Sequence, residues 1–102
     1  MFGLKDAEIL ALRNSLASFP EVEEAVIYGS RARGTNRGSS DIDLTLKGDD
    51  LTYLQLALID AKIDDLLMPY FVDISLFRLL KDDDLLESIT REGKTLYCRH
   101  NN

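Results

Sequence analysis

Cysteine is nearly absent from this 102-residue sequence, which contains only Cys98. A single thiol cannot form an internal disulfide or a cysteine-based zinc site, so we expect a chain that works in a reducing cytoplasm. Proline occurs only twice and glycine six times, and no low-complexity stretch divides the chain. Together with the length, the lack of a linker predicts a single domain over residues 1–102.

Long hydrophobic runs are also missing. No apolar stretch approaches the roughly 18–20 residues that a membrane-spanning helix needs, and the first residues lack the basic and apolar regions of a signal peptide. We therefore expect no membrane association. Basic residues are in deficit, because 12 lysines and arginines against 18 acidic residues give a formal net charge of −6. This balance argues against non-specific nucleic-acid binding, which needs a broad basic surface.

What remains is the composition of a globular domain, with 45% hydrophobic and 29% charged residues. Helical spacing of apolar residues predicts helices over 6–19, 51–67 and 84–92, with one helical turn in the loop 30–40. Short apolar or alternating runs predict strands over 25–28, 41–46, 71–77 and 95–97, and a frayed end over 99–102. This order predicts an α/β (α+β) fold, a small mixed β-sheet of three to four strands with helices packed on it.

The helix predicted over 51–67 has more apolar residues than one buried face needs. We expect its buried stripe to contain Leu51, Leu54, Leu58 and Ala61, widened by Ile59, Ile63 and Leu66. Apolar residues beyond a single stripe either pack in the core or serve a protein interface, and these are Leu56, Ile59 and Leu67.

Two acidic residues, Asp41 and Asp43, alternate with apolar residues on the second predicted strand. Residues i and i+2 of a strand share a face, about 6.6–6.8 Å apart. Neighbouring carboxylates repel each other, and a divalent cation relieves that repulsion; hard oxygen ligands favour Mg²⁺, Mn²⁺ or Ca²⁺ over zinc. The spacing also suits two metals roughly 3.5–4 Å apart that share a carboxylate. The alternative is that both side chains simply face water.

A third acid, Asp73, lies in the middle of the apolar strand predicted over 71–77. Strand alternation places it on the same face as Ser75. If this strand lies beside the strand of Asp41 and Asp43, Asp73 completes a three-acid metal site. Otherwise it is a solvent-facing acid on an alternating strand.

A glycine- and arginine-rich segment follows the first predicted strand. Gly29 allows the backbone to approach a ligand closely, and the helical turn after it would present free N–H groups to a phosphate. Ser30 adds a hydroxyl. Arg31, Arg33 and Arg37 fall within seven positions of an acidic chain, and guanidinium groups bind phosphate oxygens with paired donors. A metal-bound polyphosphate needs such groups beside acidic metal ligands; the alternative is a polar surface loop.

The combined pattern resembles the DNA polymerase β-type nucleotidyltransferase superfamily. It consists of Gly29-Ser30 at a strand end, Asp41-Ile42-Asp43 on the next strand and Asp73 on a later one. Within that superfamily, the run 29–34 and the run 40–44 are similar to those of minimal nucleotidyltransferases (MNT), small proteins found beside HEPN-domain partners. The resemblance extends from 22 to 97 and implies the polymerase β-type fold.

The resemblance also implies an activity and a set of roles. Asp41, Asp43 and Asp73 would be catalytic and would bind two Mg²⁺ ions, and the nucleotide-binding residues would be Gly29, Ser30, Arg31 and Arg33. ATP would be the substrate, and AMP would be transferred to a hydroxyl on a HEPN-domain toxin. The chain would then be the antitoxin of a type VII toxin–antitoxin system.

One alternative is a non-catalytic antitoxin that neutralises its partner by binding alone. Larger members of the superfamily have a helical domain that grips the base and the acceptor, so here a partner would complete the acceptor site. A homodimer stays open, as do the acceptor and the preferred base. Tyr28, the aromatic residue beside Gly29, is expected to point into the packing of the sheet.

Overall fold

The apolar patterns of the sequence fold into strands and helices over residues 1–99, the part that this computed structural model describes. In chain order the helices are α1 (Asp6–Ala17), α2 (Ser30–Arg33), α3 (Tyr53–Asp64) and α4 (Asp83–Glu92). The strands are β1 (Glu24–Tyr28), β2 (Ile42–Lys47), β3 (Val72–Leu76) and β4 (Lys94–Cys98), and a 3₁₀ turn covers Phe77–Leu79.

The four strands form one mixed sheet in the order β3-β2-β1-β4. β1 is antiparallel to both β2 and β4, whereas β2 and β3 are parallel. The parallel pair requires a crossover connection, and α3 supplies it. The predicted α/β (α+β) class and the mixed four-stranded sheet are therefore confirmed.

One face of the sheet is covered by α1 and α3 and forms the hydrophobic core. Both helices contact the sheet and each other. The fully buried aliphatic residues of this layer include Leu12, Leu16, Ile27, Ile42, Leu44, Ile59 and Leu96. Truncating one such side chain to alanine typically costs about 2–5 kcal/mol. This layer holds the strands in register and so determines where the polar residues of the other face lie.

The other face is only partly covered, by α4. Ile89 of α4 and Val26 of β1 are both buried outside the main core. Gly93, which follows α4, lies so close that a Cβ there would be 2.7 Å from Val26 Cγ1. Further along the same face, at Asp43 and Asp73, the side chains are half-buried and exposed, respectively. The candidate site lies on this less covered part of the sheet.

Helix α3 is shorter than the expected 51–67. Thr52 caps its start, because the Thr52 Oγ1 accepts from the Gln55 N–H and the Gln55 Oε1 accepts from the Thr52 N–H. Past its end, Leu67 has a left-handed φ of 56°, and helical geometry is disfavoured for Met68 because Pro69 follows it. A helix cannot continue through this conformation.

The expected stripe on α3 is wrong in part. Leu54 is 71% exposed and Leu58 is 51% exposed, whereas Ile59 and Ile63 are buried. The helix is therefore rotated relative to the expectation, and Ile59 packs in the core instead of serving an interface. Leu67 is 88% exposed.

Arg99 is tied to the body of the molecule and does not fray as expected. Its guanidinium donates to the carbonyl oxygens of Val22, Phe19 and Ala17 at 3.0–3.2 Å, and its backbone N–H donates to the Glu23 carbonyl at 2.9 Å. The remainder of the predicted frayed end, 100–102, lies outside the described residues. Within 1–99, no helix is long and apolar enough to span a membrane.

Candidate active site

A row of three polar side chains crosses the sheet at the open face. Tyr28 on β1 is the register partner of Asp43 on β2, and Asp43 is the register partner of Asp73 on β3. Directly opposite residues on paired strands point to the same face, and neighbouring strands lie about 4.7–4.9 Å apart. The two acids that were 30 positions apart in the sequence are therefore neighbours. Tyr28 lies in line with Asp43 and Asp73, which we call the acidic row. The expectation that Tyr28 points into the packing of the sheet is therefore wrong.

Asp43 is the acid most strongly affected by its surroundings. Burial raises the pKa of the Asp43 carboxyl, and the charges of Asp73 and Asp41 raise it further, while the Arg33 guanidinium lowers it. The charges of Asp73 and Asp41 are thus close enough to oppose the ionisation of Asp43. Asp41 is exposed and immediately precedes β2. The three acids form one electrostatic cluster.

The three carboxylates can be compared with the Mg²⁺ site that the resemblance implies. Among residues 1–99, no three His, Cys, Asp or Glu side chains stand close enough together to ligate one ion. The carboxylates of Asp41, Asp43 and Asp73 are neighbours instead of a closed ligand set. Their chemistry nevertheless fits Mg²⁺, which prefers carboxylate oxygens and is held by few of them while retaining waters. A bound cation would also remove the repulsion that raises the Asp43 pKa.

A sharp bend at Gly29 abuts the acidic row. Gly29 has a φ of +74°, and a Cβ at this position would lie 2.6 Å from Asp43 Oδ2. Only glycine combines this backbone conformation with so close an approach to the carboxylate. The Gly29 carbonyl accepts from the N–H groups of Ala32 and Arg33, each at 3.1 Å. The N–H groups of Ser30 and Arg31 belong to the first turn, where they have no acceptor within the helix.

Arg31 is a structural residue in this molecule. Its side chain is only 1% exposed, and the guanidinium donates to the carbonyl oxygens of Phe2 at 2.9 Å, Gly38 at 3.3 Å and Ser40 at 2.8 Å. It also stacks over the ring of Tyr70, 4.6 Å from the centroid. The donors that were expected to bind phosphate are directed at the chain's own backbone.

Arg33 points elsewhere and stays accessible. Its side chain is 43% exposed and forms a 3.4 Å ion pair with Glu92 of α4, and its charge reaches Asp43. An exposed ion pair of this length is weak, so Arg33 can exchange Glu92 for an anionic ligand. Of the two arginines expected to contact phosphate, Arg33 has the free approach.

Several polar residues beside the acidic row were given no role in the site from the sequence. Ser75 Oγ donates to Thr45 Oγ1 at 3.0 Å, and Thr45 is fully buried. Burial, and then the charge of Asp43, raise the pKa of the Tyr28 hydroxyl, whereas the neighbouring Ser75 lowers it. The phenol is therefore neutral at physiological pH and adds no charge beside the acids. Strand alternation in the sequence could have indicated the orientation of Tyr28, because it places Tyr28 on the same face as Val26.

The sequence matches the family model described as polymerase beta, nucleotidyltransferase, over residues 11–102. The chain therefore belongs to this nucleotidyltransferase family, and its fold is the polymerase β-type fold expected from the resemblance. No curated protein sequence gives a significant match.

Several solved structures have a similar fold. A chain in the crystal structure of a toxin–antitoxin with AMP-PNP has a TM-score of 0.69 and 23% identity, covering 95% of this chain and 76% of that one. A chain in the complex of tri-AMPylated Shewanella oneidensis HEPN toxin with MNT antitoxin has a TM-score of 0.69 and 18% identity, covering 93% and 73%. A chain of the MntA–HepT toxin–antitoxin has a TM-score of 0.67 and 19% identity, covering 92% and 73%.

Proposed function

We propose that this chain transfers AMP from Mg-ATP to a hydroxyl group of a partner protein. The observation that carries the proposal is the contact between the Gly29 bend and the row of Asp43 and Asp73. The contact supports the proposal because backbone N–H groups suited to phosphate then lie beside acidic groups suited to a divalent cation. Family membership favours nucleotidyl transfer over other uses of such a site.

Asp41, Asp43 and Asp73 would hold Mg²⁺. When bound, this cation neutralises charge on the triphosphate and on the leaving pyrophosphate. The backbone N–H groups of Ser30 and Arg31 bind phosphate oxygens, and the Arg33 guanidinium offsets their charge once it leaves Glu92. These groups orient the triphosphate with its α-phosphorus toward the open face.

Asp73 is the residue that activates the acceptor hydroxyl. It is exposed on β3, whereas Asp43 is half-buried, so an incoming hydroxyl reaches Asp73 first. The carboxylate accepts the hydroxyl proton as the oxygen–phosphorus bond forms. The bond between the α-phosphorus and the bridging oxygen breaks, and pyrophosphate leaves. The product is an AMP ester of the acceptor.

We propose a HEPN-domain toxin as the partner and an antitoxin role for this chain. The structure of a tri-AMPylated HEPN toxin in complex with MNT antitoxin, which shares this fold, supports that choice. The AMP-PNP complex of another toxin–antitoxin supports an adenine nucleotide as donor. On this reading the chain acts in the cytoplasm, silencing its partner by modification.

The test is transfer of label from [α-³²P]ATP with Mg²⁺ to a co-purified HEPN partner. We expect wild-type chain to label the partner, Asp43→Asn to abolish labelling, and the exposed control Asp49→Asn to leave it unchanged. Protection of cells by both wild type and Asp43→Asn, without label in either case, would overturn the proposal. It would then favour the alternative, an antitoxin that neutralises by binding alone.

A further inference from the structure

Strand β3 is the outermost strand of the sheet, and it carries Asp73. In the described part of the chain, its outer edge pairs with no strand. The Phe71 carbonyl accepts from the Ile42 N–H at 2.9 Å, so the main chain of Phe71 faces β2. Because successive residues of a strand direct their backbone groups to opposite edges, the N–H and C=O groups of Val72 and Ile74 face outward. They form a template for an additional strand.

A groove runs along this edge between β3 and α3. One section of about 240 Å³ is lined by Tyr53, Leu56 and Asp60 of α3 and by Phe71, Val72 and Ile74. Tyr53 is 71% exposed and Phe71 is 67% exposed. Large apolar side chains flank the unpaired backbone, which is the combination that binds extended peptides: main-chain hydrogen bonds provide affinity, and pockets receive alternate side chains.

The charge of this half of the chain limits the occupant. Nine of the 18 acidic residues lie in 49–84, against three of the 12 basic residues, so this segment carries the whole net charge of −6. Asp60 lines the groove section above and a second one beside it, and Asp73 lies at its margin. A segment with basic residues is therefore favoured. A second copy pairing through the same edge would bring two acidic surfaces together.

We propose that a basic, extended segment of the partner protein adds to the β3 edge and presents its acceptor hydroxyl opposite Asp73. This inference rests on the proposed function. An added strand extends the row of Tyr28, Asp43 and Asp73, because directly opposite residues share a face. A tyrosine, serine or threonine at the fourth position of this row has its side chain beside the Asp73 carboxylate. Its flanking residues point into the groove against α3.

The probe is an acetylated peptide of alternating arginine and valine, with a single tyrosine at one valine position, so that the arginines flank the tyrosine and point into the groove that Asp60 lines. We expect it to slow amide hydrogen exchange at Val72 and Ile74 by at least about tenfold at saturation, measured by NMR. N-methylation blocks pairing only at amides that face β3. Methylation of one alternate set of amides should therefore abolish the protection, and methylation of the other set should preserve it.

Two matched protein variants test whether acidic charge in the groove increases the affinity for the basic peptide. Asp60→Lys, in the groove, should weaken the peptide by about five- to tenfold, whereas Asp49→Lys, an equal change outside it, should have less than about a twofold effect. Protection unaffected by either methylation pattern would overturn strand addition. Protection of Val72 and Ile74 that rises with protein concentration alone would instead assign the edge to a second copy.

A parallel measurement separates this inference from the proposed function. The melting temperature is recorded with Mg-ATP and without peptide. A stabilising shift together with no peptide protection at β3 overturns the docking edge and leaves the nucleotide site standing. If the peptide protects β3 but Mg-ATP does not change the melting temperature, the docking edge stands and the proposed nucleotide site is overturned.

Discussion

The guanidinium of Arg31 donates two hydrogen bonds to the carbonyl oxygen of Ser40, from Nε at 3.1 Å and from Nη2 at 2.8 Å. Ser40 immediately precedes Asp41, so a side chain from the turn after Gly29 positions the main chain that leads into the acids. The Arg31 side chain is almost fully buried, and Ser40 is half-buried. Their contact connects the Gly29 bend to the acidic row, two segments that are separate in the sequence.

Replacing Arg31 with lysine keeps the charge but removes the planar fork that reaches three carbonyl groups. We expect Arg31→Lys to lower the free energy of unfolding by about 2 kcal/mol, which corresponds to a melting temperature roughly 8–16 °C lower. Mg-ATP affinity should fall as well, even well below the melting temperature, because Asp41 loses its support. Arg37→Lys, at an exposed position in the loop that follows α2, is the control. Equal stability of the two variants in urea titrations would contradict this role.

The acidic row should destabilise the protein in the absence of a cation. The pKa of Asp43 is raised by burial, Asp73 and Asp41, so the native state binds this proton more tightly than the unfolded state does. Stability therefore falls as pH rises from the ordinary carboxyl pKa through the raised value, and at neutral pH the full penalty is present. Asp43→Asn should remove the penalty and raise the melting temperature at neutral pH by roughly 2–4 °C, a modest shift because solvent screens the half-buried site.

The measurement is a series of thermal unfolding curves from about pH 4 to about pH 8 with a chelator present. The wild-type curve should lose stability relative to Asp43→Asn as pH rises, and Asp49→Asn should follow wild type. A variant that is less stable than wild type throughout would show that Asp43 supports the fold instead of opposing it.

The sequence was sufficient to predict the helices and strands, but not the contacts between them. Alternation over 41–46 identified β2 to within one residue, because a half-buried strand records its two faces in its own residues. The roles of Tyr28 and Arg31 depend on register and on partners such as Tyr70, which lies 39 positions from Arg31. Local periodicity has no information on such contacts. Similarly, Leu54 and Ile59 fit helical stripes equally well, and only packing decides which is buried.

The Gly29 bend can be compared with Gly34, the other positive-φ glycine that flanks α2. Gly29 and Gly34 have φ values of +74° and +79°, but an added Cβ contacts Asp43 Oδ2 at 2.6 Å only at Gly29, and at Gly34 it has nothing within 4 Å. Gly34→Ala should cost about 1–2 kcal/mol from backbone strain alone. Gly29→Ala should cost roughly a further 1–3 kcal/mol, because the Gly29 ψ of −154° is nearly restricted to glycine and because the Cβ overlaps the carboxylate, and it should displace the Asp43 carboxylate that we propose binds the cation.

Calorimetry or thermal unfolding with and without Mg-ATP distinguishes the two effects in these variants. Gly34→Ala should retain the stabilisation by Mg-ATP, while Gly29→Ala should lose it. If both variants retain the same stabilisation, the close approach of Gly29 to Asp43 has no part in nucleotide binding.

Binding of Mg-ATP should stabilise the chain by mass action, by about 2.7 kcal/mol at a free concentration of one hundred times Kd. ATP with a chelator should give no shift, because the triphosphate then meets the uncompensated charges of Asp41, Asp43 and Asp73. Asp73→Ala should keep much of the Mg-ATP shift, since Asp41 and Asp43 remain, yet lower AMP transfer by at least about 100-fold through loss of the proton acceptor. Thermal unfolding and label transfer on the same preparations check both halves. Equal stabilisation by ATP with and without the chelator would show that these carboxylates do not bind a cation.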